Sequence, residues 1–159
     1  MSTPHPNHDV LDAFYRAFAN RDHATMRSMY AQDATFKDPV FTLDGAQQVG
    51  DMWEMLCTRG KDLSLSYEIL EAHDTGGKVR WKADYTFSLT GRMVHNVIDA
   101  TLTIRDGEIV EHVDVFDFWK WSRQALGAPG MLLGWSSMLQ GKVSDAAMQG
   151  LEVFAAKKS

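Results

Sequence analysis

The chain has 159 residues, enough for one domain that buries a core of its own. Hydrophobic residues make up 45% of it and charged residues 23%, which is a globular rather than a disordered composition. No apolar stretch approaches the roughly 20 residues that a membrane span needs. The net charge of −5 and the scattered basic residues argue against a nucleic-acid surface. We therefore expect neither a membrane nor a nucleic acid as partner.

The N-terminus and the single cysteine favour a protein that stays in a reducing compartment. Residues 1–7 are polar and include two prolines, and they have neither the basic region nor the apolar core of a signal peptide. Cys57 has no second cysteine to pair with, and its place in an apolar helical pattern predicts a small core residue. We therefore expect a cytoplasmic location.

The first third of the chain predicts three helices and one short strand. Apolar residues recur at helical spacing over residues 10–20, 23–30 and 49–56. Candidate N-terminal caps of the first two helices are Asn7 or Asp9, and Asp22. Residues 34–37 form a short β pattern that ends at Asp38.

From residue 63 onward the apolar period changes to two, which indicates β-strands. Turn signals at residues 76–77, 90–91 and 106–107 separate the strands, as in an antiparallel meander. The predicted strands are residues 63–74, 78–89, 93–105 and 108–118. Helices followed by a long antiparallel sheet predict an α+β domain.

Residues 119–159 differ in character from the rest of the chain. They begin with an apolar, glycine-broken segment around Pro129, which includes Trp119, Trp121, Met131, Leu132, Leu133 and Trp135. A final amphipathic helix follows, with Val143, Ala147, Leu151 and Phe154 on one face. Because these helices are short and not basic, we expect them to cover a pocket mouth or a second subunit rather than a membrane.

Two acids carry the clearest chemical signal. Asp99 lies in residues 96–104, whose apolar and β-branched content predicts a largely buried strand, and a buried carboxylate must be paired, hydrogen-bonded or neutralised. Asp38 ends the short strand directly before Pro39. Both acids have a reason for a shifted pKa, so a pocket that they share would be a candidate functional site. The alternatives are a turn cap for Asp38 and an ion pair with His95 or His112 for Asp99.

The chain resembles the nuclear transport factor 2-like superfamily, and within it ketosteroid isomerase and the SnoaL-like proteins. The resemblance covers about residues 8–118, and its segments are residues 14–18, 30–40, 98–99 and 106–117. It implies a cone-shaped, strongly curved antiparallel sheet wrapped around the N-terminal helices, with an apolar pocket between them and frequent homodimerisation. Residues 119–159 would then be a helical extension that packs on the same domain or on a dimer partner.

The resemblance to ketosteroid isomerase also implies roles for the two acids. Asp38 falls at the position of that enzyme's general base, and Asp99 at the position of an acid kept protonated to donate to an oxyanion. The enzyme's oxyanion tyrosine falls at Phe14, which cannot donate a hydrogen bond. Losing one oxyanion donor typically costs about 10²–10³ in rate, so Tyr30 or Tyr85 would have to supply the donor instead.

A third polar position lies on the last strand, where His112, Asp114 and Phe116 share one face. By the resemblance this face turns inward, and limonene-epoxide hydrolase has a catalytic aspartate at the position of Asp114. Its Arg-x-Asp motif has only Lys82-Ala83-Asp84 as a counterpart, on an outward face. The alternative for Asp114 is an ion pair at a dimer interface.

Aromatic residues complete the predicted site. The predicted substrate-binding residues are Phe14, Tyr15, Tyr30, Trp53, Tyr85, Phe87 and Phe116. Their alternative role is simple core packing. His95 is expected at a solvent or interface position, and no His/Cys spacing supports a metal site, so we expect neither a metal nor another cofactor.

The sequence thus predicts a cofactor-independent acid/base enzyme for a small hydrophobic molecule that bears a carbonyl or hydroxyl group. Asp38 would be the base, and Asp99, with Asp114 or His112, the acid or electrostatic partner of an isomerase, cyclase or dehydratase. One alternative is a non-catalytic binding or dimerisation module on the same fold. The other is a hydrolase similar to limonene-epoxide hydrolase. A homodimer is expected in each case.

Overall fold

The structure is a computed structural model that describes residues 5–134 and 136–158. Most of the polar N-terminal segment and Trp135 of the apolar segment lie outside the described residues. The helices are α1 (Pro6–Ala19), α2 (His23–Ser28), α3 (Ala46–Arg59), α4 (Phe118–Leu126), α5 (Ala128–Leu133) and α6 (Ser137–Lys158). The strands are β1 (Tyr30–Lys37), β2 (Thr42–Asp44), β3 (Ser64–His73), β4 (Gly76–Phe87), β5 (Arg92–Arg105) and β6 (Glu108–Val115).

The six strands form one curved, open sheet in the order β2-β1-β6-β5-β4-β3. Strands β3 to β6 form the predicted antiparallel meander, and β1 pairs with β6 in parallel. The α+β class and the cone-like architecture are therefore confirmed. Strand β2 was not predicted, because three residues are too few to show a period of two.

Local hydrogen bonds explain where several helices begin and where strand β6 ends. The predicted cap of α1 was wrong, because the imidazole of His5 accepts the Asn7 N–H and no Asn7 or Asp9 side chain caps the helix. The predicted cap of α2 is confirmed, since Asp22 accepts the N–H of Thr25. Strand β6 ends three residues earlier than predicted because Asp117 caps α4.

The core lies between the inner face of the sheet and helices α1 and α3. Its largest fully buried side chains include Leu11, Phe14, Tyr15, Phe18, Phe36, Met52 and Trp53. Cys57 is buried with them, as predicted. None of the helices in the described part of the chain has the length and hydropathy of a membrane-spanning helix.

The C-terminal helices pack on the same chain. Helix α4 lies against β5, and α6 lies against α3, where Leu151 is buried within the core cluster. The side chains of Trp119, Met131 and Leu133 remain exposed. The predicted domain boundary at residue 118 and the predicted homodimer stay predictions.

Candidate functional site

A cavity of about 450 Å³ opens between the inner face of the sheet, α3 and the C-terminal helices. Most of its wall is apolar, and it includes four of the predicted substrate-binding residues, Trp53, Tyr85, Phe87 and Phe116. Helix α4 contributes Trp121, and α6 contributes Val143 and Ala147. The C-terminal segment therefore forms part of the cavity wall.

Asp38 lies in the cavity wall at the end of β1, and its two carboxylate oxygens have different surroundings. Its Oδ1 accepts hydrogen bonds from the backbone N–H of Val40, at 2.7 Å, and of Phe41, at 2.6 Å. Its Oδ2 has no hydrogen-bond partner among the residues that the structure describes. The predicted turn cap and the predicted pocket position are thus both present in one side chain.

Burial raises the pKa of the Asp38 carboxyl to about 7. The backbone hydrogen bond from Phe41 opposes this shift, and the negative charge of Asp114 adds to it. An acid that loses its proton near neutral pH inside an apolar cavity suits general base catalysis.

A buried hydrogen-bonded chain lies beside the cavity and ends at Asp114. His112 is fully buried, with its Nε2 2.9 Å from Asp114 Oδ1 and its Nδ1 2.8 Å from the hydroxyl of Tyr30. Trp53 Nε1 donates to the same hydroxyl at 2.9 Å. Because the carboxylate of Asp114 only accepts, we place the His112 proton on Nε2, which leaves Nδ1 to accept the O–H of Tyr30.

This chain holds Asp114 in one orientation at the cavity wall. Burial raises the pKa of Tyr30 well above its usual value, so the phenol keeps its proton and remains a donor. The alternative of an ion pair at a dimer interface was wrong for Asp114, because its side chain is buried within its own chain and bonded to His112.

The comparisons with known proteins agree with this architecture. The sequence profile of the SnoaL-like domain matches residues 11–112, which is more than half of the chain. The chain belongs to the SnoaL-like family. No curated relative matches it.

Solved structures show the same fold at low identity. IdmH of Streptomyces antibioticus, a candidate polyketide cyclase, is 24% identical with a TM-score of 0.62, over 76% of this chain and 98% of its own. A candidate polyketide cyclase from Silicibacter sp. TM1040 is 14% identical with a TM-score of 0.67, over 75% and 94%. A ketosteroid isomerase-like protein from Erwinia carotovora atroseptica is 14% identical with a TM-score of 0.60, over 69% and 92%.

The prediction that Asp99 is buried in the pocket of this SnoaL-like protein was wrong. Its side chain is 58% exposed on the outer face of the sheet, where Arg80 Nε donates to Oδ1 at 2.8 Å. This hydrogen bond lowers the pKa of the Asp99 carboxyl. The residues that face inward on β5 are its neighbours Ile98 and Ala100, so Asp99 does not share a pocket with Asp38.

Three predicted substrate-binding residues lie in the core and not in the cavity wall. They are Phe14, Tyr15 and Tyr30, all buried. The ring of Phe14 makes edge contacts with Tyr30 and His112, at centroid distances of 5.7 and 5.8 Å. Phe14 therefore supports the hydrogen-bonded chain by packing.

Sequence reasoning missed several polar residues of the cavity wall, Arg59, Thr86, Ser88 and Asn96, and Asn96 is the buried one among them. It is 9% exposed, and its side-chain amide bonds to no residue in the described part of the chain. Counting back by two from the inward Ile98 identifies it, since alternate strand residues share a face. The outward position of Asp84 is confirmed, and its carboxylate pairs with His95.

Proposed function

We propose that this SnoaL-like protein is a cofactor-independent enzyme that removes a proton next to the carbonyl group of a small apolar molecule. Isomerisation, cyclisation or dehydration would follow from the resulting enolate. The observation that carries the proposal is Asp38, a carboxyl group with a pKa of about 7 in the wall of an apolar cavity. A base with a pKa near the working pH combines a large ionised fraction with a useful affinity for protons.

The two carboxylate oxygens of Asp38 have different roles in the proposed mechanism. The backbone bonds to Oδ1 fix the carboxylate plane, and Oδ2 is left to take the proton from carbon. Fixing the base in this way removes the orientational cost of proton transfer.

Asp114 is the second polar group of the proposed mechanism. Tyr30 and His112 orient it, and it lies in the same cavity wall as the base. We propose that Asp114, which His112 holds in place, makes the polar contact with the oxygen-bearing end of the substrate, while Asp38 acts on carbon.

The cavity favours a substrate with fused or linked rings. Its volume of about 450 Å³ and apolar wall suit such a molecule, with polar contacts only at a few points. IdmH and the Silicibacter protein are candidate polyketide cyclases, and TerC, at 21% identity, was crystallised with polyporic acid. These likenesses support a polyketide-like, carbonyl-bearing substrate.

Exchange of deuterium into 2-tetralone, an apolar ketone with acidic C–H bonds, tests the proposal by NMR in D₂O. We expect wild-type protein to accelerate the exchange, and Asp38→Asn to lower the accelerated rate by about 10²-fold or more, as loss of a general base does. Asp99→Asn is the matched control, because it changes an exposed acid on the outer face. Equal exchange by the wild type and the Asp38→Asn variant would overturn the proposal.

A non-catalytic binding module is the second candidate, and the turn cap made by Asp38 Oδ1 favours it. A purely structural Asp38 would give a protein that binds 2-tetralone without exchanging its protons. Binding measured by thermal shift, together with exchange at the buffer rate, would therefore decide for this alternative.

A further inference from the structure

Tyr85 lies in the cavity wall, and its hydroxyl bonds to one residue in the described part of the chain. Trp121, on α4, donates a hydrogen bond from Nε1 to this oxygen at 2.8 Å. A phenol has one proton to donate, and the part of the chain that the structure describes offers no acceptor for it. The proton of Tyr85 is therefore available to a ligand oxygen in the cavity.

Burial and charge keep this phenol protonated. Burial is the largest cause that raises the pKa of Tyr85, and the negative charge of Asp38 raises it further, while the bond from Trp121 opposes the shift. Tyr85 and Asp38 also line the same cavity. Tyr85 thus stays a neutral donor when Asp38 is ionised.

Asn96 lies on the same wall, and its side-chain amide bonds to no residue that the structure describes. Tyr85 pairs with Val94 across β4 and β5, and Ala83 pairs with Asn96, so Asn96 is the diagonal neighbour of Tyr85. Diagonal neighbours on one face of a sheet lie within reach of the same ligand. Within the described chain the Asn96 amide has no partner, so this amide and the Tyr85 hydroxyl are two neighbouring donors on the cavity wall.

We propose that Tyr85 and Asn96 bind the carbonyl oxygen of the substrate and the oxyanion formed from it, with Trp121 as the residue that positions Tyr85. The inference rests on the proposed function. The proton on the neighbouring carbon moves to Asp38 Oδ2, and the electron pair of the C–H bond moves through carbon to the oxygen, which becomes an enolate. Tyr85 then donates the hydrogen bond that a phenylalanine at position 14 cannot donate. The substrate is a ketone whose oxygen reaches β4 and β5.

The test uses 6-cyano-2-naphthol, an enolate mimic whose absorbance reports its own ionisation. It is run in the Asp38→Asn protein, because Asn imitates the protonated base that faces the enolate. We expect the bound probe to be more ionised than it is in water at the same pH. Tyr85→Phe should lower the ratio of ionised to neutral bound probe about tenfold or more, since a hydrogen bond to a charged oxygen is lost.

Trp121→Phe tests the positioning role separately. It keeps an aromatic ring but removes the N–H that holds Tyr85, so the ionisation ratio should fall about threefold, as expected for one link of a hydrogen-bonded pair. Trp119→Phe is the matched control, because Trp119 lies on the same helix with an exposed ring and should leave the ratio unchanged.

The ionisation ratios of the two variants test the oxygen site and the positioning role separately. An unchanged ratio in Tyr85→Phe, or a probe that fails to bind in the cavity, overturns the proposed oxygen site. An unchanged ratio in Trp121→Phe with a lower ratio in Tyr85→Phe overturns only the positioning role. Because the assay involves no turnover and no ionised Asp38, its failure is distinct from a failure of Asp38 as the catalytic base.

Discussion

The acidic side chains on the two faces of the sheet have opposite surroundings. On the outer face Arg80 pairs with Asp99 and His95 pairs with Asp84, and all four side chains are about half exposed. On the inner side of the sheet, Asp38 and Asp114 lie in a mostly apolar cavity wall. Within the described chain Asp38 bonds to backbone N–H groups and Asp114 to His112, and neither acid pairs with an arginine or lysine.

This difference shows that the surroundings of an acid, more than its residue type, decide its chemical use. An exposed ion pair keeps a carboxylate ionised and contributes little to stability. A carboxylate in an apolar wall is costly to ionise, and this cost gives it affinity for a proton near neutral pH. In this chain the face on which a strand residue lies therefore decides whether an acid is in a surface ion pair, as Asp99 is, or in the cavity wall, as Asp114 is.

We expect the acids of the two faces to differ most in how they make the stability of the fold depend on pH. Because the folded pKa of Asp38, about 7, is above its usual value of 3.8, the folded state binds the proton more tightly than the unfolded state. Its contribution is fully present below pH 4 and is lost as pH rises through 7. The free energy of unfolding of Asp38→Asn, minus that of the wild type, should therefore increase by up to about 4 kcal/mol between pH 4 and 8.

Chemical denaturation at a series of pH values measures this difference, in which the other titrating groups cancel. Asp99→Asn provides the opposite control. The folded pKa of Asp99 is lowered, so its carboxylate stabilises the fold at pH values above its usual pKa, and this contribution is lost as pH falls. Its difference should be small, since the ion pair is solvated. A flat pH profile for the Asp38→Asn difference would contradict the account.

A smaller effect is expected from breaking one hydrogen-bonded group on each face. Tyr30→Phe removes the hydroxyl between Trp53 and His112 and leaves two buried polar atoms without partners. We expect a loss of about 1–3 kcal/mol in the free energy of unfolding. The exposed Arg80→Ala should cost less than about 1 kcal/mol.

Denaturation curves at one pH compare these two variants directly. Equal losses for Tyr30→Phe and Arg80→Ala would mean that the buried chain is no more important for stability than a surface ion pair. In that case the buried chain would not be what holds Asp114 in place.

The sequence was sufficient to predict the fold and part of the candidate site, and the physical reasons can be named. The meander and the helices have clear periods, and Asp38 stands out because it ends a strand before proline. The register of β5 was harder, because its outer face also carries apolar residues. Val97 and Met93 are exposed there, so the run resembled a strand buried on both faces, and Asp99 was placed inside and Asn96 overlooked.

Other features of the site depend on contacts between distant parts of the chain. The bond between Trp121 and Tyr85 joins residues 36 positions apart, and the link between Tyr30 and His112 spans 82. No local pattern reports such contacts. The role of the C-terminal helices in the cavity wall could therefore be seen only in three dimensions.

Carbon-13 NMR titration of the Asp38 side-chain carboxyl shows whether the apolar cavity raises the pKa of this residue. The resonance is assigned by its absence from Asp38→Asn, and the Asp99 carboxyl serves as the reference for the outer face. We expect the Asp38 midpoint near pH 7 and the Asp99 midpoint below its usual value. An Asp38 midpoint near pH 4, the ordinary value for an aspartate, would contradict the account.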